Sequence, residues 1–274
     1  MTLATRNNVL MIGIVLSVAV FGLSVYMLGL VAIHGFSPAA DSFQNVQHWL
    51  IFQWKTTHRA LVWTIVGIGV LSVSSSIGTI FLRRYFLKVS APDVFFFTLF
   101  VLSLSLSGLK SVEVYFLYLN LPTFYGDVIT RAIYFGQFFG SFCLLASSLY
   151  AAGVQYQKYA TVLEVAGLVS FAVAYLVPVD SLGIYPNLLY PVGNESTIDT
   201  ILLLTSILSI LSYLTTISGG GTKFSIAVAV TLVVVGRGLL FYLSSPPAII
   251  AGGLSLAGGI ALYGIRNYEL HLWM

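Results

Sequence analysis

Charged side chains are scarce in this 274-residue sequence, and their scarcity indicates the class of protein. Lysine, arginine, aspartate and glutamate together make up 8% of the chain, whereas soluble domains carry about a quarter. The net charge of +3 is too small and too dispersed for a nucleic-acid-binding surface, so we predict no nucleic-acid partner. The composition predicts an integral membrane protein whose main partner is the lipid bilayer.

Residues that commonly carry catalytic or redox chemistry are also rare. The single cysteine, Cys143, excludes an intramolecular disulfide and a cysteine-based metal cluster. None of the four histidines lies in the middle of an apolar run, and the sequence contains no HExxH or GxSxG motif. We therefore predict no catalytic residue, no metal site and no cofactor. A membrane enzyme is the third alternative, after the two functions given below.

Long apolar runs are the dominant feature that is present. Eight of them are near the 20 residues needed to cross a hydrocarbon core about 30 Å thick. They predict an all-α membrane protein, a single bundle over residues 1–274 without a soluble domain. The last run is rich in glycine, so a bundle of seven helices is the alternative. The predicted spans are 9–33, 60–82, 92–117, 131–152, 161–177, 198–217, 224–243 and 247–265.

The distribution of lysine and arginine predicts the orientation, because short cytoplasmic loops carry an excess of both. If the N-terminus is cytoplasmic, seven basic residues fall on that side and three on the other. Both termini are then cytoplasmic, and the two long loops, about 34–59 and 178–199, are external. The basic residues assigned to the cytoplasmic side are Arg6, Arg83, Arg84, Lys88, Lys158, Lys223 and Arg266.

Small polar residues recur at helical spacing in the second and third spans. Residues 71–79 read LSVSSSIGT and residues 103–108 read SLSLSG. Such residues let helices approach closely and hydrogen-bond across the interface, so we predict a packing role. Lining a transport path is the alternative. The GQFFG motif at 136–140 has GxxxG spacing and predicts either internal packing or a dimer contact.

Among the charged residues within the apolar runs or at their edge, four stand out, namely Lys110, Glu113, Arg131 and Arg237. A charge at membrane depth costs about 2.5–3.5 kcal/mol on insertion scales, so it normally has a partner, water or a ligand. Lys110 and Glu113 are three residues apart and therefore share a helix face. The rise per residue places Lys110 and Arg237 in the external half of the bundle. These four are the candidate ligand-binding residues.

We predict that Arg237 points into the bundle and pairs with Glu113, and that the glycines on either side of Arg237 make room for its guanidinium. This pair could fix helix register without binding anything. It could instead form a ligand site together with Lys110 and Arg131. A third interpretation is that Lys110 and Arg131 extend to the headgroups of the external leaflet.

The function expected from these features is that of a non-enzymatic sensor, a receptor-type component or an accessory subunit. It would bind a small anionic or lipid ligand in the external half of the bundle. The cytoplasmic connections are short, so a signal would pass to a partner membrane or cytoplasmic protein. A small transporter or channel is the alternative. All eight prolines lie in loops or at span ends, unlike the interrupted spans of many secondary transporters.

Overall fold

A computed structural model describes residues 3–34, 58–86, 91–119, 124–154, 158–180, 184–185, 187–215, 221–243 and 245–272. Most of the first predicted external loop, residues 35–57, lies outside this set. The described chain is almost entirely helical, so the predicted all-α fold is confirmed. Its α-helices are α1 (Leu3–His34), α2 (His58–Phe86), α3 (Pro92–Ser103), α4 (Lys110–Tyr118), α5 (Phe124–Ala151), α6 (Tyr159–Leu176), α7 (Glu195–Thr215), α8 (Gly221–Tyr242) and α9 (Pro246–Leu272).

Eight helical segments within the described residues are long and apolar enough to cross a membrane, as the sequence predicts. Proline marks several of their ends. Pro92 occupies the first turn of α3, where a missing N–H costs no hydrogen bond. Pro178 follows the end of α6, and Pro246 begins α9. The glycines of α9 do not interrupt it, so the eighth segment is one continuous helix.

The third apolar segment lies at the centre of the bundle and is not a uniform helix. A 3₁₀ helix (Leu104–Leu109) separates α3 from α4. α5 packs along α3, α2 lies against α3 and the 3₁₀ helix, and α1 contacts α4. Phe96, Phe97 and Phe100 of α3 are fully buried and fill the half of the bundle on the N-terminal side of the 3₁₀ helix.

α8 and α9 pack with their backbones in close contact. A Cβ atom at Gly236 would lie 2.6 Å from the backbone nitrogen of Leu256 and 2.7 Å from the carbonyl oxygen of Gly252. Gly236 therefore permits the approach of α9. The prediction that the glycines beside Arg237 make room for its guanidinium is wrong, because Gly236 faces α9 and Gly238 has no neighbouring atom within 4 Å of a Cβ position.

Small residues of α5 and α2 pack inside the bundle, as predicted. A Cβ atom at Gly136 would lie 2.9 Å from the Leu106 side chain of the 3₁₀ helix. The hydroxyl groups of Ser76 on α2 and Ser17 on α1 are 2.8 Å apart. The GxxxG motif thus contacts the central segment, which favours internal packing over a dimer contact.

Large apolar side chains cover much of the outer surface. On α6, Leu168, Phe171 and Leu176 are 70%, 63% and 76% exposed. α1 and α7 carry similar exposed side chains, among them Met11, Ile12, Leu16, Leu203, Leu204 and Leu208. Such extensive exposed apolar surface is exceptional for a soluble monomer and typical of a membrane-facing or protein-facing surface.

Candidate functional site

The Arg237 guanidinium is buried and bound by neutral groups of α5. Its Nε and Nη2 donate to Gln137 Oε1 at 2.9 and 2.5 Å, and Nη2 also donates to the Gln137 carbonyl oxygen at 3.0 Å. Nη1 donates to Ser141 Oγ at 2.9 Å. The guanidinium carbon lies 5.6 Å from the ring centroid of Phe100. Protein acceptors therefore satisfy four of the five N–H donors of this charge.

The predicted ion pair between Arg237 and Glu113 is wrong. The ion pairs within the described part of the chain are Arg131 with Asp127 and Arg266 with Glu269. The reason is the position of Gln137, which presents two acceptor oxygens to α8. The GxxxG spacing of GQFFG predicts close helix packing but does not identify Gln137 as the partner of Arg237. A lone amide inside an apolar span was the available signal, because such groups hydrogen-bond between helices.

Glu113 is fully buried, and neither of its carboxylate oxygens has a hydrogen-bond partner among the described residues. A buried carboxylate in apolar surroundings needs a donor, a cation or a proton. Tyr190, in the connection between α6 and α7, is its electrostatic neighbour. Burial and the charge of Glu113 raise the pKa of Tyr190. Glu113 is therefore the buried acceptor for which the protein supplies no donor in the described chain.

Lys110 lies one turn before Glu113 on α4 and is 2% exposed. Its Nζ is 3.4 Å from the carbonyl oxygen of Phe241 on α8 and 3.9 Å from the centroid of the Phe241 ring. An ammonium group has three N–H donors, and the described residues supply this one acceptor. Lys110 thus keeps donor capacity close to the acceptor capacity of Glu113.

The 3₁₀ helix that precedes Lys110 is held by hydroxyl groups of neighbouring helices. Ser75 Oγ on α2 donates to the Val101 carbonyl oxygen at 2.6 Å, and Ser24 Oγ on α1 donates to the Gly108 carbonyl oxygen at 2.9 Å. Runs of 3₁₀ helix longer than about 3–4 residues are uncommon, and a mid-helix stretch often marks a hinge. The serines of the second span therefore stabilise an irregular backbone.

Gln137 connects Arg237 to the same 3₁₀ helix. Its Nε2 donates to Ser107 Oγ at 3.3 Å, while its Oε1 accepts from Arg237. Ser107 lies three residues before Lys110. One hydrogen-bonded chain therefore leads from α8 through α5 to the segment that positions Lys110 and Glu113.

Arg131 lies at the contact between α5 and α6. Its Nε donates to Asp127 Oδ1 at 2.8 Å, and both side chains are partly exposed. Another of its N–H groups donates to the carbonyl oxygen of Tyr175 near the end of α6. Arg131 thus links α5 to α6. Of the four candidate residues, Lys110 and Glu113 lie one turn apart on α4, and Arg237 is linked through Gln137 to Ser107 in the preceding 3₁₀ helix.

The described residues of the α6–α7 loop are 177–180, 184–185 and 187–194, and Tyr190 among them is a neighbour of Glu113. The ends of the loop are joined by an antiparallel bridge between Val179 and Val192. At its tip, Leu188 is fully buried and packs in one apolar cluster with Val114 and Ile68. The backbone of Leu188 has a φ of 62°, a conformation of order 1–3 kcal/mol above the common ones. Leu188 therefore packs against the helix that carries Glu113 with a strained backbone.

Comparison of the sequence with protein-family models finds no match, and comparison with curated proteins finds none either. Within the residues that the structure describes, no group of three or more histidine, cysteine, aspartate or glutamate side chains could hold a metal ion. A function is therefore proposed below from the geometry of Lys110, Glu113 and the adjoining loop.

Proposed function

We propose that the protein is a multi-pass integral membrane protein with eight spans and both termini in the cytoplasm. Two observations support the membrane location: eight helical segments of the described chain are long and apolar enough to span, and their outer faces carry exposed apolar side chains. The excess of lysine and arginine in alternate loops supports the orientation. In this orientation the α6–α7 loop and Glu113 lie toward the external side.

The protein acts in this proposal as a non-enzymatic sensor or receptor-type component for a small polar ligand. The observation that carries the proposal is the buried carboxylate of Glu113, which lacks a partner in the described chain, one turn from a lysine with donors to spare. A ligand with an amino group and an anionic group matches both residues. Its amino group would donate to Glu113, and its anionic group would accept from Lys110.

A purely anionic ligand receives less support, because the donors of Arg237 already bind Gln137 and Ser141. Arg237 instead holds α5 and the 3₁₀ helix in position. Ligand binding at Lys110 and Glu113 would favour one conformation of the central segment, and a partner membrane or cytoplasmic protein would detect the change.

Thermal unfolding of the purified protein in mild detergent tests the ligand assignment. The probes are ω-amino acids of increasing length, from glycine to 6-aminohexanoate, because the separation of the two groups is the variable. A probe that binds only the folded state stabilises it by about 2.7 kcal/mol at a concentration 100 times its Kd. We expect stabilisation of the wild type and of the exposed-site control Glu164→Gln. We expect none for Glu113→Gln or Lys110→Gln.

An unchanged response of Glu113→Gln would contradict the ligand assignment, as would the absence of a response to every probe in the wild type.

The orientation is tested separately by labelling cysteines introduced at Asn194 and Met274, since the native Cys143 is fully buried. An impermeant reagent added to intact cells should label Asn194→Cys and leave Met274→Cys unlabelled. The reverse pattern would overturn the orientation.

A small transporter is the second candidate, and the 3₁₀ interruption of the central segment favours it. Many transporters bind substrate where a spanning helix is discontinuous near the middle of the membrane. The test is accumulation of the stabilising probe inside proteoliposomes. Accumulation that requires Glu113 would establish transport, and binding without accumulation would leave the receptor-type function.

A further inference from the structure

A small cavity, with room for about one water molecule, lies at the opposite end of the bundle from Glu113, between the start of α1, the end of α2 and the start of α3. Two arginines and two uncharged polar residues line it together with apolar side chains. The residues that matter for its chemistry are Arg6, Asn7, Leu10, Arg83, Phe95 and Thr98. Its lining combines positive charge with an apolar wall, and this combination is found at no other place described above.

The lining of the cavity is positively charged, because it includes two arginines and no acidic residue. Asp93 lies in the adjoining first turn of α3 but does not line the cavity. Arg6 is 8% exposed and donates from Nη2 to the carbonyl oxygen of Phe86 at 3.1 Å and to Asn7 Oδ1 at 3.3 Å. Arg83 lies in the last turn of α2, and its buried Nε has no hydrogen-bond partner in the described part of the chain. Arg83 therefore has a donor available to a ligand.

The start of α3 borders the same cavity, and the carboxylate of Asp93 in its first turn offsets part of the positive potential there. α3 has Pro92 in its first turn, and its N-cap residue Ala91 provides no side-chain cap. The backbone N–H groups at a helix start carry a partial positive charge and commonly bind phosphate. Ala91 and Val94 both line the cavity, so this helix start is part of the same site as the two arginines.

We propose that this cavity binds the phosphate group of an anionic phospholipid in the cytoplasmic leaflet. The leaflet assignment rests on the orientation given under Proposed function. Arg6, Arg83 and the start of α3 would contact the phosphate oxygens, and Leu10 and Phe95 would contact the glycerol and the acyl chains. Basic cavities between spanning helices on the cytoplasmic side are suited to anionic headgroups.

Native mass spectrometry of the purified protein with added phosphatidylglycerol tests this site. Phosphatidylcholine serves as the zwitterionic comparison, and inorganic phosphate tests whether the free anion competes. We expect Arg83→Gln to weaken phosphatidylglycerol binding about fivefold, since each basic residue near a membrane surface contributes about that factor. The control Arg84→Gln removes the neighbouring exposed charge, which does not line the cavity, and should leave binding unchanged.

A second variant keeps the test decisive if loss of an arginine disturbs folding. Thr98→Leu retains both arginines and fills the cavity, so it should also weaken binding. Equal weakening by Arg84→Gln, equal binding of phosphatidylcholine, or full competition by millimolar inorganic phosphate would each overturn the lipid site. Failure of the orientation is distinguishable, because cysteine labelling at Asn194 and Met274 reports the sidedness independently of lipid binding.

Discussion

Arg237 and Glu113 differ in how the protein accommodates a buried charge. Arg237 is surrounded by Gln137 and Ser141, whose oxygens accept from three of its nitrogens. Glu113 has no such shell in the described chain, although both side chains are almost completely buried. A buried carboxylate without a partner lowers the stability of the folded state. Such a group is expected where the protein uses it to bind a ligand.

A double-mutant cycle distinguishes these two environments. We expect Arg237→Leu to destabilise the protein by about 1–3 kcal/mol, because it leaves the acceptors of Gln137 and Ser141 buried and unsatisfied. Glu113→Leu should stabilise it by about the same amount, because no partner in the described chain is lost. The two effects should add, since the side chains form no ion pair. Thermal unfolding in detergent is measured for the two single variants and the double variant. A coupling free energy above about 1 kcal/mol would show that Arg237 and Glu113 interact directly.

At this scale the sequence predicts which charges are buried but not their partners. Lys110, Glu113 and Arg237 stand out because a charge inside an apolar run must be accommodated somewhere. The partner depends on how each helix is rotated about its axis, and a rotation of one residue moves a side chain by 100°. Gln137 was not predicted as the partner of Arg237, because an uncharged amide between two glycines is only weak evidence of a hydrogen bond between helices.

At the scale of helices, small residues and an irregular segment determine how the bundle packs. The 3₁₀ helix was not predicted, because the small polar residues at 103–108 are equally compatible with a regular α-helix. Its stability comes from Ser24 and Ser75 on other helices, so it is a tertiary effect. The packing role of the serines and of GQFFG was predicted correctly, since small residues at helical spacing favour close approach whatever the partner.

Gly236 and Gly238 offer a matched pair for testing the contact between α8 and α9. A methyl group at Gly236 would overlap the backbone of α9, whereas a methyl group at Gly238 would meet no atom within 4 Å. Gly236→Ala should therefore destabilise the protein by about 1–3 kcal/mol. Gly238→Ala should be neutral or slightly stabilising, because alanine is the better helix former. Equal effects of the two substitutions on thermal unfolding would contradict this packing.

The α6–α7 loop is fastened by Tyr185, whose hydroxyl donates to Glu195 Oε2 at 3.0 Å. Tyr185→Phe removes this bond and should accelerate amide exchange at Leu188 and Leu189 about fivefold, which corresponds to about 1 kcal/mol. Tyr175→Phe, on the exposed face of α6, is the control and should leave exchange unchanged. Hydrogen-exchange mass spectrometry measures both, and identical protection of the loop in the two variants would show that Tyr185 does not fasten it.

The same bond should be insensitive to pH under ordinary conditions. Burial and the charge of Glu195 raise the pKa of Tyr185 to about 12, above the value of about 10 for an unfolded chain. A raised folded-state pKa means that the stabilisation is complete below about pH 10 and is lost as the pH rises through about 12. The ratio of the amide-exchange rates of Tyr185→Phe and wild type at Leu188 and Leu189 should therefore be constant between about pH 6 and 8.

At the scale of the whole molecule, the run length of apolar residues was the most informative feature of the sequence. Eight runs predicted eight helices, because a chain in hydrocarbon must satisfy its backbone groups internally and a helix does so within one segment. The α6–α7 loop was predicted only as a connection. Apolar residues of this loop, such as Leu188 and Leu189, pack between the helices. A local sequence pattern does not predict this packing.

We propose that a ligand reaches the buried carboxylate of Glu113 from the external side, past the described residues of the α6–α7 loop. The most direct test is the labelling rate of a cysteine at this position, Glu113→Cys, with an impermeant thiol reagent applied to either face of sealed vesicles. Cys143 is fully buried and should contribute no background. We predict slow labelling from the external face only, accelerated several-fold when Tyr185→Phe loosens the loop. Labelling from the cytoplasmic face alone, or a rate that Tyr185→Phe does not change, would contradict the claim.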